Sequence, residues 1–364
     1  MMKWLWWRRW VYLSCLVMGM LLSACGRETS PSPAAATAIP TLSPTTIPPS
    51  ATAPVPTATI PVTHPDGLWS QEPPLLQGRA AHAVVSTDTA IYVLGGTGEL
   101  GRPVLEVEQY DGTSWTVLTM LPGDGLNAPT AVVLAGRIYV IGGFNTTTNV
   151  PVAQVQVYDL ATGTWDEVAP LPAPRGGHAS VMLQGQIHVF GGGNAVATLA
   201  DHSVYDPASD TWRDLAPLPR AEGSPAGVVY NGQIYAIGGR SGPSDFGDVY
   251  IYDAAADSWR DGPAIEPRGT AGAVAYCAAI YLVGGESQAE REVLATMLRL
   301  DPVPGAWAEA TPMPTARSFA RAVPFQEAIY VVGGSTTFGS SHASVGSTAV
   351  EQFHLDCADA TQSD

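Results

Sequence analysis

Six short segments of this chain carry consecutive apolar residues and end in a pair of glycines. Each follows the pattern Ile-aromatic-x-x-Gly-Gly, with His188 replacing the usual Tyr in the third, at residues 91–96, 138–143, 187–192, 234–239, 280–285 and 329–334. Successive glycine pairs lie 47, 49, 47, 46 and 49 residues apart. This spacing predicts one supersecondary unit repeated six times, with units that stack because each is too short to bury its own core.

Each unit is predicted to hold four antiparallel strands. In the third unit, two β-forming runs at 179–183 and 186–190 flank a Gln-Gly turn, which is typical of a hairpin. A third, alternating strand follows from 199 to 206, and a fourth begins at 211. Four such strands in about 48 residues predict one blade of a β-propeller.

Two further marks recur in register with the glycines. A Tyr-Asp pair, or Leu-Asp in the fifth unit, marks the third strand, and a tryptophan marks the fourth, at Trp115, Trp165, Trp212, Trp259 and Trp307. The sixth unit lacks its tryptophan, and Trp69 supplies the missing copy before the first unit. The N-terminal strand is therefore predicted to complete the last blade and close the ring, which leaves no open edge between first and last blades.

Paired glycines, Tyr-Asp and spaced tryptophans together resemble the kelch repeat over residues 67 to about 357. The resemblance implies an all-β, six-bladed kelch β-propeller with four antiparallel strands per blade, similar to the central domain of galactose oxidase and to sialic acid mutarotases. Because a fold does not determine a function, the activity has to be argued from the site residues.

The N-terminal residues predict export. A basic, tryptophan-rich start precedes a short apolar run, and the sequence Leu-Ser-Ala-Cys that ends at Cys25 resembles a bacterial lipobox. We expect residues 1–25 to be a lipoprotein signal peptide with lipid attached at Cys25; an uncleaved membrane anchor is the alternative. Residues 26–66, rich in Pro, Thr, Ser and Ala, are predicted to be a disordered spacer, followed by the propeller at 67–358 and a tail at 359–364.

The charge balance limits the partners. The formal net charge is −16, which disfavours binding to nucleic acid or to an anionic lipid surface. We expect contact with the membrane through the N-terminal lipid only, in the cell envelope outside the cytoplasm, and a monomer without a cofactor or a metal ion. Cys277 and Cys357 remain after export, and the sequence leaves open whether they form a disulfide or stay as thiols.

Several arginines fall at equivalent places near one end of the predicted channel. Seventeen residues before the second glycine, the six units carry Arg79, Leu126, Arg175, Glu222, Arg268 and Arg317, while Arg240 and Glu286 directly follow glycine pairs. Arginine binds carboxylates through a planar fork, so these residues predict a ligand-binding mouth. The alternative is that each arginine binds neighbouring backbone carbonyls or acids such as Glu222.

Two functions follow from these residues. The first is a binding module for a protein or glycan ligand, anionic or neutral, held by Arg79, Arg175, Arg240, Arg268, Arg317 and Glu222. The second is a sugar mutarotase, in which Glu222 or Glu286 acts as the acid or base beside Arg240. His82 and His178 occupy equivalent positions in units one and three, but these units are not adjacent and no third ligand matches, so packing is favoured over a metal site.

Overall fold

The computed structural model describes residues 67–301, 305–339 and 346–357. They form six four-stranded antiparallel sheets. The innermost strand of each sheet contacts the innermost strand of the next, and the sixth contacts the first. The six-bladed β-propeller predicted from the sequence is confirmed. No helix in these ranges is long and apolar enough to cross a membrane; the predicted signal peptide, lipidation site, spacer and C-terminal tail lie outside them.

The strands are numbered in chain order, and each blade runs from its inner to its outer strand. The N-terminal strand is β1 (Leu68–Gln71), and blade 1 contains β2 (Ala83–Ser86), β3 (Ile91–Leu94), β4 (Glu106–Tyr110) and β5 (Trp115–Met120). Blade 2 contains β7 (Thr130–Leu134), β8 (Arg137–Ile141), β10 (Val155–Asp159) and β11 (Thr164–Val168), and blade 3 contains β12 (Ala179–Leu183), β13 (Gln186–Phe190), β14 (His202–Asp206) and β15 (Thr211–Leu215).

The remaining blades follow the same plan. Blade 4 contains β16 (Ala226–Tyr230), β17 (Gln233–Ser241), β18 (Ser244–Asp253) and β19 (Ser258–Asp261), and blade 5 contains β20 (Gly272–Tyr276), β21 (Ala279–Val283), β24 (Met297–Asp301) and β25 (Ala306–Ala310). Blade 6 contains β26 (Arg321–Phe325), β27 (Ala328–Val332), β28 (Val350–His354) and then β1. Short pairs join β6 (Leu126–Asn127) to β9 (Phe144–Asn145) and β22 (Glu286–Ser287) to β23 (Glu292–Val293), and Glu99–Gly101 forms a 3₁₀ turn.

The ring is closed by the N-terminal strand, as predicted. β1 pairs antiparallel with β28, and Trp69 lies opposite Phe353. The indole of Trp69 donates to the carbonyl of Thr311 in the preceding blade at 2.9 Å. The corresponding tryptophans of blades 3, 4 and 5 likewise donate to carbonyls of the loop that leaves the preceding blade. The outer tryptophans therefore bind adjacent blades to one another.

The hydrophobic core lies between blades. Each of six buried clusters combines residues of two neighbouring blades; Ile187, Val189 and Tyr205 of blade 3, for example, pack with Tyr139 and Ile141 of blade 2. No blade thus buries its apolar face alone, which is the physical reason that the unit is repeated. These five residues are at most 4% exposed.

A disulfide joins the last two blades. Cys277 lies in the turn between β20 and β21, and Cys357 lies three residues after the end of β28. The two cysteines, 80 residues apart in sequence, form a disulfide bond. It attaches the C-terminal strand, which carries the ring closure, to blade 5.

Candidate functional site

Four of the arginines predicted to line the mouth are buried inside the blades. Arg79 and Arg317 have no exposed surface, and Arg175 and Arg268 are at most 5% exposed. In blades 1, 3 and 6, one guanidinium nitrogen donates to the carbonyl of the first glycine of the pair, at 2.9–3.2 Å. The same nitrogen also donates to a carbonyl at or next to the start of the third strand.

Two of these arginines also pair with a buried glutamate. Arg79 forms an ion pair with Glu108, and Arg317 donates to Glu351 at 2.6 Å. Both glutamates lie two residues before the aromatic residue of the third strand. Arg268 pairs with no glutamate in the described part of the chain and donates to the hydroxyl of Thr296 at 2.6 Å.

The structure therefore corrects the prediction of an arginine-lined mouth. The glycine pair ends the regular strand pairing, and a guanidinium satisfies the carbonyls that are left there. This is the alternative in which each arginine binds backbone carbonyls and acids. The sequence analysis did not predict the paired glutamates, although both lie two residues before the aromatic residue of the third strand and this spacing can be read from the sequence.

Glu222 occupies the arginine position in blade 4 but is also buried. Its Oε1 accepts from Arg220 at 3.4 Å, and its Oε2 has no partner within the described ranges. Burial raises the pKa of Glu222 to about 8. Arg220 also pairs with Asp248 and stacks on the ring of Phe246 at 3.5 Å. Glu222 thus does not reach the mouth either.

Arg240 and Glu286 are brought together across blades 4 and 5. They form an ion pair, in which the Arg240 side chain is 18% exposed and the Glu286 side chain is 1% exposed. The second oxygen of Glu286 accepts from the backbone N–H of Gly339 at 3.3 Å. The guanidinium lies 5.4 Å from the centre of the Phe319 ring. Of the predicted site residues, Arg240 is the cation that reaches solvent at the mouth.

The loops that precede the inner strands enclose a concave surface, here called the mouth hollow. Its volume is about 140 Å³, and residues of blades 2, 3, 4 and 6 line it. Phe144 and Arg240 are partly exposed in its wall, and Phe319 is almost buried. The other lining residues are small or polar, including glycines 176, 177, 193 and 223. Aromatic walls with one cation give a surface that fits both apolar and hydrogen-bonding groups of a ligand.

Six equivalent residues, four of which line this hollow, form what we call the left-handed ring. They have φ between 50° and 62° and are Ala81, Ala128, Gly177, Ser224, Thr270 and Phe319. From Ala128 onward, the N–H of each donates to the carbonyl of its counterpart in the preceding blade, at 2.7–3.3 Å. These bonds fix the channel entrance, since five non-glycine residues keep a conformation that is costly for L-amino acids.

His82 and His178 are both buried, and His178 lies in the wall of the channel below the ring. Nε2 of His178 lies 2.7 Å from Oγ1 of Thr130. Burial, together with the charges of nearby arginines, lowers the pKa of His178 to about 3 and that of His82 well below 6.5. Both rings are therefore neutral at pH 7, and no group of three His, Cys, Asp or Glu side chains within the described ranges could hold a metal ion.

The fold and these repeated contacts define a kelch-type propeller, the class of ring that generally serves as a protein-binding module. The family model described as the KLHDC2/KLHL20/DRC7 Kelch-repeats domain matches residues 68–222 and 128–334. Because these matches cover well over half of the sequence, the chain belongs to the kelch-repeat family.

Similar proteins share parts of this repeat. Kelch-like protein 23 from Pongo abelii is 33% identical over 137 residues, which is 36% of this chain and 24% of that protein. Beta-scruin from Limulus polyphemus is 28% identical over 131 residues, 34% of this chain and 14% of that protein. The chain thus spans about a quarter or less of these relatives.

A solved structure has the same fold. The structure of YjhT superposes with a TM-score of 0.68 over 79% of this chain and 98% of that chain, at 15% sequence identity. At this level of identity the likeness concerns the fold alone.

Proposed function

We propose that this chain is a binding module that holds a protein ligand in the mouth hollow. The observation that carries the proposal is the hollow itself, in which Phe144 and Arg240 are partly exposed at the converging loops. Membership of the kelch family supports a protein partner. In such a ring the blades are scaffold and the loops determine specificity.

The charges of the hollow favour a peptide segment over a strongly anionic glycan. Arg240 is already paired with Glu286, so this part of the hollow holds both a positive and a negative charge. The four buried arginines contribute no donor to the surface. We propose that one apolar ligand side chain packs between Phe144 and Phe319, while a ligand carbonyl or carboxylate accepts from Arg240.

We further propose that the propeller works outside the cytoplasm, tethered by lipid at Cys25 through the proline-rich spacer. The disulfide between Cys277 and Cys357 supports this location, since such bonds persist in oxidising compartments. Mass spectrometry of the mature protein from its native host should find a lipid-modified N-terminal Cys25. An unmodified chain that still contains residues 1–24 would refute the tether.

The binding proposal is tested by selecting peptides from a random displayed library against the purified mature chain. Enriched peptides should lose at least tenfold in affinity when Phe144 or Arg240 is replaced by Ala. Arg137→Ala is the matched control, because Arg137 is a surface arginine paired with Asp159 at the opposite end of blade 2. Equal binding by the Arg240→Ala, Phe144→Ala and Arg137→Ala proteins would place any ligand elsewhere.

The mutarotase alternative requires the carboxyl group of Glu222 or Glu286 to face a substrate beside Arg240, yet Glu222 is 0% exposed and the Glu286 side chain is 1% exposed. Glu222 is fully buried and accepts from Arg220, whereas Glu286 is paired with Arg240. The described geometry does not bring an acid–base pair to a common accessible surface, so we favour binding over this reaction.

A further inference from the structure

Beneath the left-handed ring, the inner strands of all six blades enclose a channel cavity of about 120 Å³. It shares no lining residue with the mouth hollow. Most of its wall consists of Ala, Gly, Pro and Val, and Arg321 is its one lining residue with a formal charge at pH 7. No carboxylate side chain lines this described cavity, although the protein as a whole carries a net charge of −16.

Arg321 is a departure from the repeat. It begins the inner strand of blade 6, and the equivalent residues of blades 1 to 5 are small: Ala83, Thr130, Ala179, Ala226 and Gly272. Arg321 is not part of the repeated position that holds Arg79, Arg175, Arg268 and Arg317. The structural role of those arginines therefore does not explain it. Small residues on the surrounding strands leave space for its long side chain inside the cavity.

The guanidinium of Arg321 has no acceptor among the described residues, in contrast to Arg79 and Arg317, which have carbonyl and carboxylate partners. Arg321 is partly exposed, and desolvation by the surrounding strands lowers its pKa to about 10 with no nearby acid to raise it again. Its charge contributes to the lowered pKa values of both His82 and His178. An uncompensated charge in such a place is costly, so a counter-ion at this point is favourable.

Hydroxyl groups accompany this charge in the same wall. Oγ of Ser180 is buried with no partner in the described chain. Oγ1 of Thr130 contacts Nε2 of His178, and a hydroxyl rotates to donate elsewhere when that nitrogen carries the hydrogen. A fixed cation with nearby neutral hydrogen-bond donors is a typical arrangement for anion binding.

We propose that the channel cavity binds a small monovalent anion, with Arg321 as its charged partner and the hydroxyls of Ser180 and Thr130 as further donors. A planar oxyanion the size of nitrate or formate matches the guanidinium fork best, and a halide satisfies the charge alone. The bound anion neutralises the cation at the centre of the ring and stabilises the inner strands.

The test measures thermal unfolding of the mature chain in sodium nitrate, formate or chloride, with sodium gluconate keeping the ionic strength constant. At a hundredfold excess over Kd the unfolding temperature should rise by about 5 °C, and beyond that it should rise only with the logarithm of the anion concentration. Arg321→Met should lose this response, and Arg137→Met, which removes an exposed arginine, should retain it. An equal response to nitrate and gluconate, or a full response in Arg321→Met, would overturn the proposal.

A second measurement does not depend on the folding of Arg321→Met. Crystals of the wild-type chain grown in bromide should show an anomalous peak beside the guanidinium of Arg321, and Ser180→Ala should lower its occupancy. Anomalous peaks elsewhere on the molecule with none in the channel cavity would also overturn the proposal.

Discussion

Removing the disulfide between Cys277 and Cys357 should destabilise the propeller strongly. Its partners are 80 residues apart, and for a closed loop of that length the chain-entropy relation gives about 4.5 kcal/mol at 25 °C. The bond also anchors the chain just after β28, the strand that pairs with β1 and so closes the ring. Reduction therefore enlarges the unfolded ensemble and releases the segment after β28 from blade 5 in the native ring.

Urea unfolding of oxidised and reduced protein, followed by tryptophan fluorescence, measures this effect. With an m value of about 3 kcal/mol per molar for a domain of this size, the midpoint should fall by about 1.5 M. Cys277→Ser, Cys357→Ser and the double variant should all match the reduced wild type, since either substitution removes the whole bond. Identical midpoints for the oxidised wild type and the double variant would refute the reasoning.

Three further predictions concern buried ionisable side chains, and the free energy of unfolding in urea measures each. Arg317→Met should cost about 3–5 kcal/mol because it leaves a buried glutamate unpaired, and Arg268→Met should cost less; equal losses would contradict this. Burial lowers the pKa values of His188 and His202 to about 4 and 3. As pH falls below 6.5, these two histidines therefore bind protons in the unfolded chain before they do so in the folded chain. Stability should then fall by up to about 3 kcal/mol per histidine by pH 4, and a His188→Tyr/His202→Val variant should lose this part of the pH dependence. Because the pKa of Glu222 is raised in the folded chain, ionisation of its carboxyl group at high pH destabilises the fold. The free energy of unfolding of Glu222→Gln should therefore exceed that of the wild type by at least about 2 kcal/mol at pH 9 and by little at pH 4. A difference that does not depend on pH would contradict the assignment.

The blades and their closure could be predicted because both leave repeated marks in the sequence. The glycine pairs, the third-strand aromatic residues and the spaced tryptophans recur in register, and Trp69 supplies the copy that blade 6 lacks. The direction of a side chain at the entry to a strand is not set by spacing, so the buried state of Arg79 and Arg317 could not be read from their positions alone.

Contacts between blades were harder to predict. Arg240 and Glu286 both follow glycine pairs, yet their pairing depends on how blades 4 and 5 stack. The left-handed ring left no signal, because Ala, Gly, Ser, Thr and Phe share its positions and the conformation is imposed by the ring closure.

The buried arginines change how charged residues in this propeller should be interpreted. Where a glycine pair ends the strand pairing, the backbone carbonyls left without a strand partner require a donor. Arg79, Arg175 and Arg317 supply that donor without a ligand. Their presence is therefore explained by the architecture of the blades. A charge indicates binding only where the repeat has no structural use for it. Arg240 at the mouth hollow and Arg321 in the channel cavity meet this criterion, so substitutions at these two positions should affect ligands far more specifically than substitutions at the repeated arginines.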